Sequence, residues 1–162
     1  MILNRGIGND DNGGDPAPHR VPPNSTLAPA PGRATLLELP FTMADLARLR
    51  LQVTRRSEDA GLCDPRLSDF VLAVHEVASN AVVHGGGKGR IHLAYTGDGL
   101  RCVIADSGPG LAPPEPSAPV GLPDSDEAES GRGLWLARAL ADHFEVAACA
   151  TGTTVTLVAL LC

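Results

Sequence analysis

The chain has 162 residues, 43% hydrophobic and only 3% aromatic, with a formal net charge of −6. That length buries one core and is short for two ordinary domains. The scarcity of rings argues against a base-stacking nucleic-acid binder, and the acidic balance, whose longest basic run is Arg55-Arg56, argues against a phosphate-backbone partner.

Residues 1 to about 33 carry Gly13-Gly14, Pro22-Pro23 and Pro29-Ala-Pro31 with almost no apolar period. Such a segment buries too little surface to offset its ordering entropy, so a disordered leader is expected. It has no apolar run of signal-peptide length, and no stretch of the chain approaches the ~20 apolar residues of a membrane span. A cytoplasmic protein without a membrane partner is expected. The four cysteines, Cys63, Cys102, Cys149 and Cys162, have no Cys-x-x-Cys spacing, so they read as reduced, mostly structural thiols.

Order is expected from residue 34 to 162. Ala34–Leu39 reads as a short strand ended by Pro40, and Thr42 as the cap of a helix from Met43 to about Ala60 with Leu46, Leu49 and Val53 inward. A second helix begins near Pro65, where Leu67, Val71, Val74, Ala78 and Val82 recur at steps of three and four. Gly85-Gly86-Gly87 ends it, Arg90–Tyr95 alternates as a strand, and Gly97-Asp98-Gly99 turns the chain into the apolar strand Leu100–Ala105. Residues 107–130 are proline-rich without an apolar period, and a loop of that length is usually functional, here a lid. A helix from about Gly133 to Asp142, a strand around Phe144–Ala147, a turn at Thr151-Gly152 and a strand Thr154–Val158 complete the chain. The mixture lacks regular βαβ alternation and predicts an α+β fold, a largely antiparallel sheet with helices on one face.

Three segments carry chemistry. Glu76, Asn80 and His84 are spaced i, i+4 and i+8 on the second helix, one stripe in steps of roughly 6 Å. Asn supplies a neutral oxygen to a hard cation such as magnesium, and a neighbouring Glu can take a proton from a hydroxyl; a solvated helix edge is the alternative. Asp106-Ser-Gly-Pro-Gly110 follows an apolar strand and offers a carboxylate to an amino-bearing ring, with Gly108 and Gly110 letting backbone pass close; a tight turn capped by Asp is equally compatible. Gly131-Arg-Gly133 joins the lid to a helix, where backbone N–H groups face phosphate oxygens and Arg132 can add charge-assisted contacts. There is no Gly-x4-Gly-Lys-Ser/Thr loop and no protein-kinase catalytic loop.

In order and context these segments resemble the GHKL ATPases, a family that includes histidine-kinase ATPase domains, DNA gyrase B and MutL. Glu76-Val-Ala-Ser-Asn80 is similar to the N box, Asp106-Ser-Gly-Pro-Gly110 to the first glycine box, Gly131-Arg-Gly-Leu134 to the second, and Gly152-Thr153 to the late Gly-Thr pair. Within that family, Glu76–His84, Gly131–Asp142 and Gly152–Thr156 resemble the compact RsbW-like anti-sigma-factor serine/threonine kinases, over roughly residues 35–160.

The resemblance implies a two-layer α/β sandwich of the Bergerat type that binds ATP and Mg2+. It implies Asn80 at the metal, Glu76 as general base and Asp106 on the adenine amino group, with Gly108 and Gly110 shaping the pocket. Gly131 and Gly133, with Arg132 and Leu134 between and after them, would meet phosphates. Thr153 would complete the adenine contacts, and His84 stands beside them or only caps its helix. It further implies a protein kinase whose substrate is a small anti-sigma antagonist and whose second partner is a sigma factor, with dimerisation through the first strand and residues 43–60 open. A module that binds ATP without turnover is the alternative. His75 reads as a surface histidine, because no dimerising helical hairpin precedes the domain.

Overall fold

The computed structural model describes residues 33–109 and 129–162. The leader up to residue 32 and the lid residues 110–128, including Gly110, Asp124, Asp126 and Glu127, lie outside the described residues. The elements are strand β1 (Ala34–Thr42), a 3-10 turn (Met43–Asp45), helices α1 (Leu46–Asp59) and α2 (Arg66–Val83), strands β2 (Lys88–Tyr95) and β3 (Gly99–Asp106), helix α3 (Glu129–Leu140), and strands β4 (His143–Cys149) and β5 (Gly152–Leu160).

The five strands form one antiparallel sheet in the order β1-β2-β3-β5-β4. Alternation decides which face is covered. Ile91, Ile104 and Val155 are in register across the three central strands, and Leu93, Cys102 and Leu157 form the next such row. All six are buried. The expected α+β sandwich is therefore the observed one, with helices over this face. Helix α2 is central: it packs on α1, α3, β2, β3 and β5, and nine of its residues, among them Phe70, Val74 and Val77, are buried. Each such large apolar side chain contributes about 1.5–3 kcal/mol by leaving water.

Three expectations are corrected. β1 continues through Pro40 to Thr42, because β1 is an edge strand, where a proline without an N–H is tolerated. The first helix starts as a 3-10 turn: Asp45 Oδ2 accepts from Thr42 N–H at 3.0 Å and Thr42 Oγ1–H at 2.9 Å, which holds the Asp45 carboxyl below the usual carboxylate range. Cys63 and Cys162 are not reduced thiols. They form a disulfide across a sequence separation of 99, joining the α1–α2 loop to the end of β5. Sequence spacing did not reveal the pair because only the fold brings the two Cα atoms to 6.4 Å. Cys102 and Cys149 are free, and burial pushes the Cys102 thiol well up.

Beside the disulfide runs a polar seam. Arg66 donates through Nε to the Leu160 carbonyl at 3.0 Å and pairs with Asp142, while Asp142 Oδ2 accepts from Leu160 N–H at 2.8 Å. These bonds close the end of the sandwich opposite the β4–β5 turn. No helix among the described residues is long and apolar enough to cross a membrane.

Candidate functional site

The residues singled out in the three segments belong to different elements, and packing gathers most of them at one end of α2. Helix periodicity puts Val77 and Ala81 into the core, and Asn80, one step round, faces the opening between α2 and the sheet. Its Nδ2 is buried and has no hydrogen-bond partner among the described residues. A buried orphan donor costs about 1–3 kcal/mol, a cost that an acceptor on a ligand in this opening would relieve. His84, the C-cap residue of α2, lines the same opening with its side chain exposed.

Asp106 enters from the end of β3. Its Oδ1 accepts from Gly108 N–H at 3.0 Å and from Thr153 N–H at 3.2 Å, so two backbone donors fix the carboxylate. Oδ2 has no partner among the described residues. Thr153 is the second residue of β5, and it comes close because Gly152, at φ +153°, passes directly over the Asp106 carbonyl, where a β-carbon would overlap. The strand period of two then places Ile104 beside Asp106 and Val155 beside Thr153. The resulting cavity is lined by Val77, Asn80, Ala81, His84, Gly85, Ile104, Asp106, Leu134, Thr153 and Val155. An apolar slot with a few convergent polar groups suits a flat heteroaromatic ring with polar substituents.

Helix α3 closes the other side. The expected start near Gly133 is corrected, because α3 begins at Glu129 and both Gly131 and Gly133 lie inside it. The glycine pair reads as a helix boundary because glycine has poor helix propensity, and packing against α2 overrides that preference. Gly131 lies in the first turn, where N–H groups lack intrahelical partners. In α-helical geometry the Gly133 N–H instead turns back towards the carbonyl four residues earlier. Gly133 contributes through its missing side chain: a β-carbon there would stand 2.9 Å from Glu76 Oε2 and 3.2 Å from Asn80 Nδ2. Glu76, Asn80 and Gly133 thus meet beside the cavity. Arg132 is exposed and does not line it.

Among the expected site residues, Asn80, His84, Asp106, Leu134 and Thr153 line one cavity, Glu76 and Gly133 adjoin it, and Gly108 holds Asp106 from behind. Val77, Ala81, Gly85, Ile104 and Val155 escaped the sequence reading of the site. Val77 and Ala81 flank Asn80 by helix spacing, and Ile104 and Val155 follow from strand alternation, so a periodicity argument centred on Asn80 and Asp106 finds them. Gly85 carries no such signal.

A nucleotide fits this donor set: a fixed carboxylate for an amino group, apolar walls for a ring, and an orphan amide where phosphates would follow. Among the described residues no group of three or more His, Cys, Asp or Glu side chains could hold a metal ion. A divalent cation here would rely on Asn80 Oδ1 and on oxygens of the ligand itself.

Comparison with known proteins agrees with this geometry. Residues 39–159 match the family model described as the histidine kinase-like ATPase domain. No curated protein matches the chain. Among solved structures, the RsbU and RsbW domains of Rv1364c from Mycobacterium tuberculosis superpose with a TM-score of 0.52 at 24% identity. That similarity covers 77% of this chain and 32% of the other, so the chain spans about a third of the length of that structure. It is a likeness of fold. Because the family model spans most of the sequence, this chain belongs to the histidine kinase-like ATPase domain family and is an ATP-binding protein.

Proposed function

We propose that this ATP-binding regulatory domain is a serine/threonine protein kinase of the anti-sigma-factor type. Its substrate is a small anti-sigma antagonist protein, and its second partner is a sigma factor that it sequesters when the antagonist is absent. The observation that carries the kinase reading is the meeting of Glu76 with Asn80 and Gly133 beside a cavity that Asp106 also lines. A half-buried carboxylate at the phosphate end serves no purpose in adenine binding, and it is well placed to receive a proton.

In this reading Asp106 Oδ2 accepts from the adenine amino group, Thr153 and Leu134 close on the ring, and Gly108 and Gly110 shape the pocket. Asn80 would hold Mg2+, Gly131 would offer its N–H to the phosphates with Arg132 reaching them from the surface, Gly133 leaves room for Glu76 and Asn80, and His84 borders this end. Bound Mg-ATP supplies an electrophilic γ-phosphoryl group. Glu76 Oε2 takes the proton of the attacking Ser or Thr hydroxyl as its oxygen bonds to that phosphorus, the bond from phosphorus to the β–γ bridging oxygen breaks and ADP leaves with the electron pair; general-base assistance of this kind contributes about 10²- to 10⁴-fold.

The test is transfer of label from γ-labelled Mg-ATP to a Ser- or Thr-bearing antagonist protein that co-purifies with this chain. Glu76→Gln is expected to lower transfer by at least a hundredfold while leaving ATP affinity within a few-fold. Transfer by Glu76→Gln at the parent rate overturns the assignment of the base. ATP binding and partner regulation that persist in Glu76→Gln without any transfer by the parent would instead identify a non-catalytic, ATP-set binding module.

A further inference from the structure

Gly85 follows the C-cap of α2, is buried, and has no role in the reading above. Its surroundings are specific. A β-carbon built on it would overlap both Cβ and Cγ of Asp106, the residue whose carboxylate faces the cavity, as well as the Ala81 carbonyl one turn back. On the other side, a β-carbon on Gly108 would stand 2.5 Å from Gly85 Cα and 3.0 Å from the His84 carbonyl oxygen. The end of α2 and the turn after β3 therefore interlock backbone to backbone through Gly85 and Gly108, with the Asp106 side chain lying across Gly85.

We infer that Gly85 is a positioning residue for Asp106, and that its lack of a side chain sets the discrimination of this site for a purine bearing an exocyclic amine over one bearing an oxygen there. This inference rests on the ATP-binding reading of the cavity. Asp106 reaches both backbone donors, Gly108 N–H at 3.0 Å and Thr153 N–H at 3.2 Å, in one orientation. With Oδ1 tied in that way, Oδ2 is a pure acceptor aimed at the ring, which favours an amine and opposes a carbonyl oxygen. A methyl group at position 85 would overlap the Ala81 carbonyl oxygen as well as Asp106 Cβ and Cγ, so the end of α2 and Asp106 must part. That separation withdraws Oδ1 from its donors and Oδ2 from the ring. Ring burial and phosphate contacts, which do not discriminate between the two purines, stay.

The experiment compares ATP with inosine triphosphate, which carries oxygen in place of the amine, by calorimetric titration of the full chain. The parent is expected to prefer ATP by roughly ten- to a hundredfold, the range for a hydrogen bond to a charged acceptor. Gly85→Ala is expected to reduce that ratio to within about threefold, chiefly by weakening ATP binding. A purely structural role predicts equal loss for both nucleotides, so an unchanged ratio overturns the inference. If the parent binds neither nucleotide, the ATP reading itself fails, which is a separate outcome.

Thermal unfolding gives a readout that survives poor folding of the single variant. Adding Gly85→Ala to Asp106→Gly, which vacates the contested volume, is expected to cost far less in Tm than adding it to the parent. Equal cost in both backgrounds would mean that the Ala81 carbonyl, and not Asp106, excludes the methyl, and would also overturn the inference.

Discussion

The two oxygens of the Asp106 carboxylate stand in different surroundings. Oδ1 is held by the N–H groups of Gly108 and Thr153, Oδ2 has no partner among the described residues, and Asp106 lines a cavity together with Ile104, Val155, Val77 and Ala81. Replacing that oxygen by an amide keeps the shape but changes the chemistry, since a neutral acceptor forms a weaker hydrogen bond than a charged one. Asp106→Asn is accordingly expected to weaken ATP binding by roughly tenfold or more, measured by calorimetry, with the Tm of the free protein changed by only a few degrees. Unchanged affinity would remove Asp106 from the ligand. At the same scale, Asn80 Nδ2 is buried with no hydrogen-bond partner among the described residues, as are Gln52 Oε1 and Ser57 Oγ, and at Asn80, which lines the cavity, a ligand oxygen would satisfy it.

At the scale of elements, the site is a joint between α2 and α3, and Gly133 sets how closely they approach. Two effects oppose each other at this position. Alanine is better than glycine inside a helix by about 1 kcal/mol, which favours Gly133→Ala. The new methyl would meet Glu76 Oε2 at 2.9 Å and Asn80 Nδ2 at 3.2 Å, both ends of flexible side chains that can yield. The fold therefore tolerates the change: Tm is expected to hold or rise slightly, while the proposed phosphotransfer is expected to fall by roughly ten- to a hundredfold through displacement of Glu76, its proposed base. Loss of Tm without loss of transfer would contradict this account. The helix boundary itself was misread from the glycines, since local propensity places Gly131-Arg-Gly133 at a helix start and tertiary contact with α2 keeps both residues within α3.

For the whole molecule, the disulfide and the polar seam fasten the end remote from the cavity. Closing a loop of 99 residues restricts the unfolded chain strongly, with a typical stabilisation of about 2–4 kcal/mol. Full reduction, or Cys63→Ser, is expected to lower Tm by roughly 10 °C, and identical melting curves with and without reductant would show that the bond contributes nothing. The seam adds a pH dependence. The Leu160 N–H, and secondarily the Arg66 guanidinium, hold the Asp142 carboxyl below its ordinary value against the opposing effect of burial. A depressed folded value contributes stability above the unfolded value near ~3.9 and loses it as pH falls through the folded one. Tm should thus decline below about pH 4, and Asp142→Asn should flatten that decline, as a thermal scan across pH 2–5 would show.

Periodicity alone determined much of this protein. Leu46, Leu49 and Val53, and Leu67, Val71, Val74, Ala78 and Val82, are buried as their spacing requires, because a helix face is a local property of 3.6 residues per turn. The alternation of Arg90–Tyr95 and the apolar run Leu100–Ala105 likewise agree with strands whose Ile91, Leu93, Cys102 and Ile104 are buried. The order of the Glu76–Asn80, Asp106–Gly110 and Gly131–Gly133 segments was also legible, since each is a short motif with its own local geometry. Tertiary structure alone decided what lies between segments far apart in the chain: the Cys63–Cys162 bond, the start of α3, and the packing of Gly85 against Asp106. Those contacts depend on distances across the fold, which no local spacing encodes. Gly85 therefore reads in the sequence as a helix breaker, and in the structure as the space in which Asp106 stands.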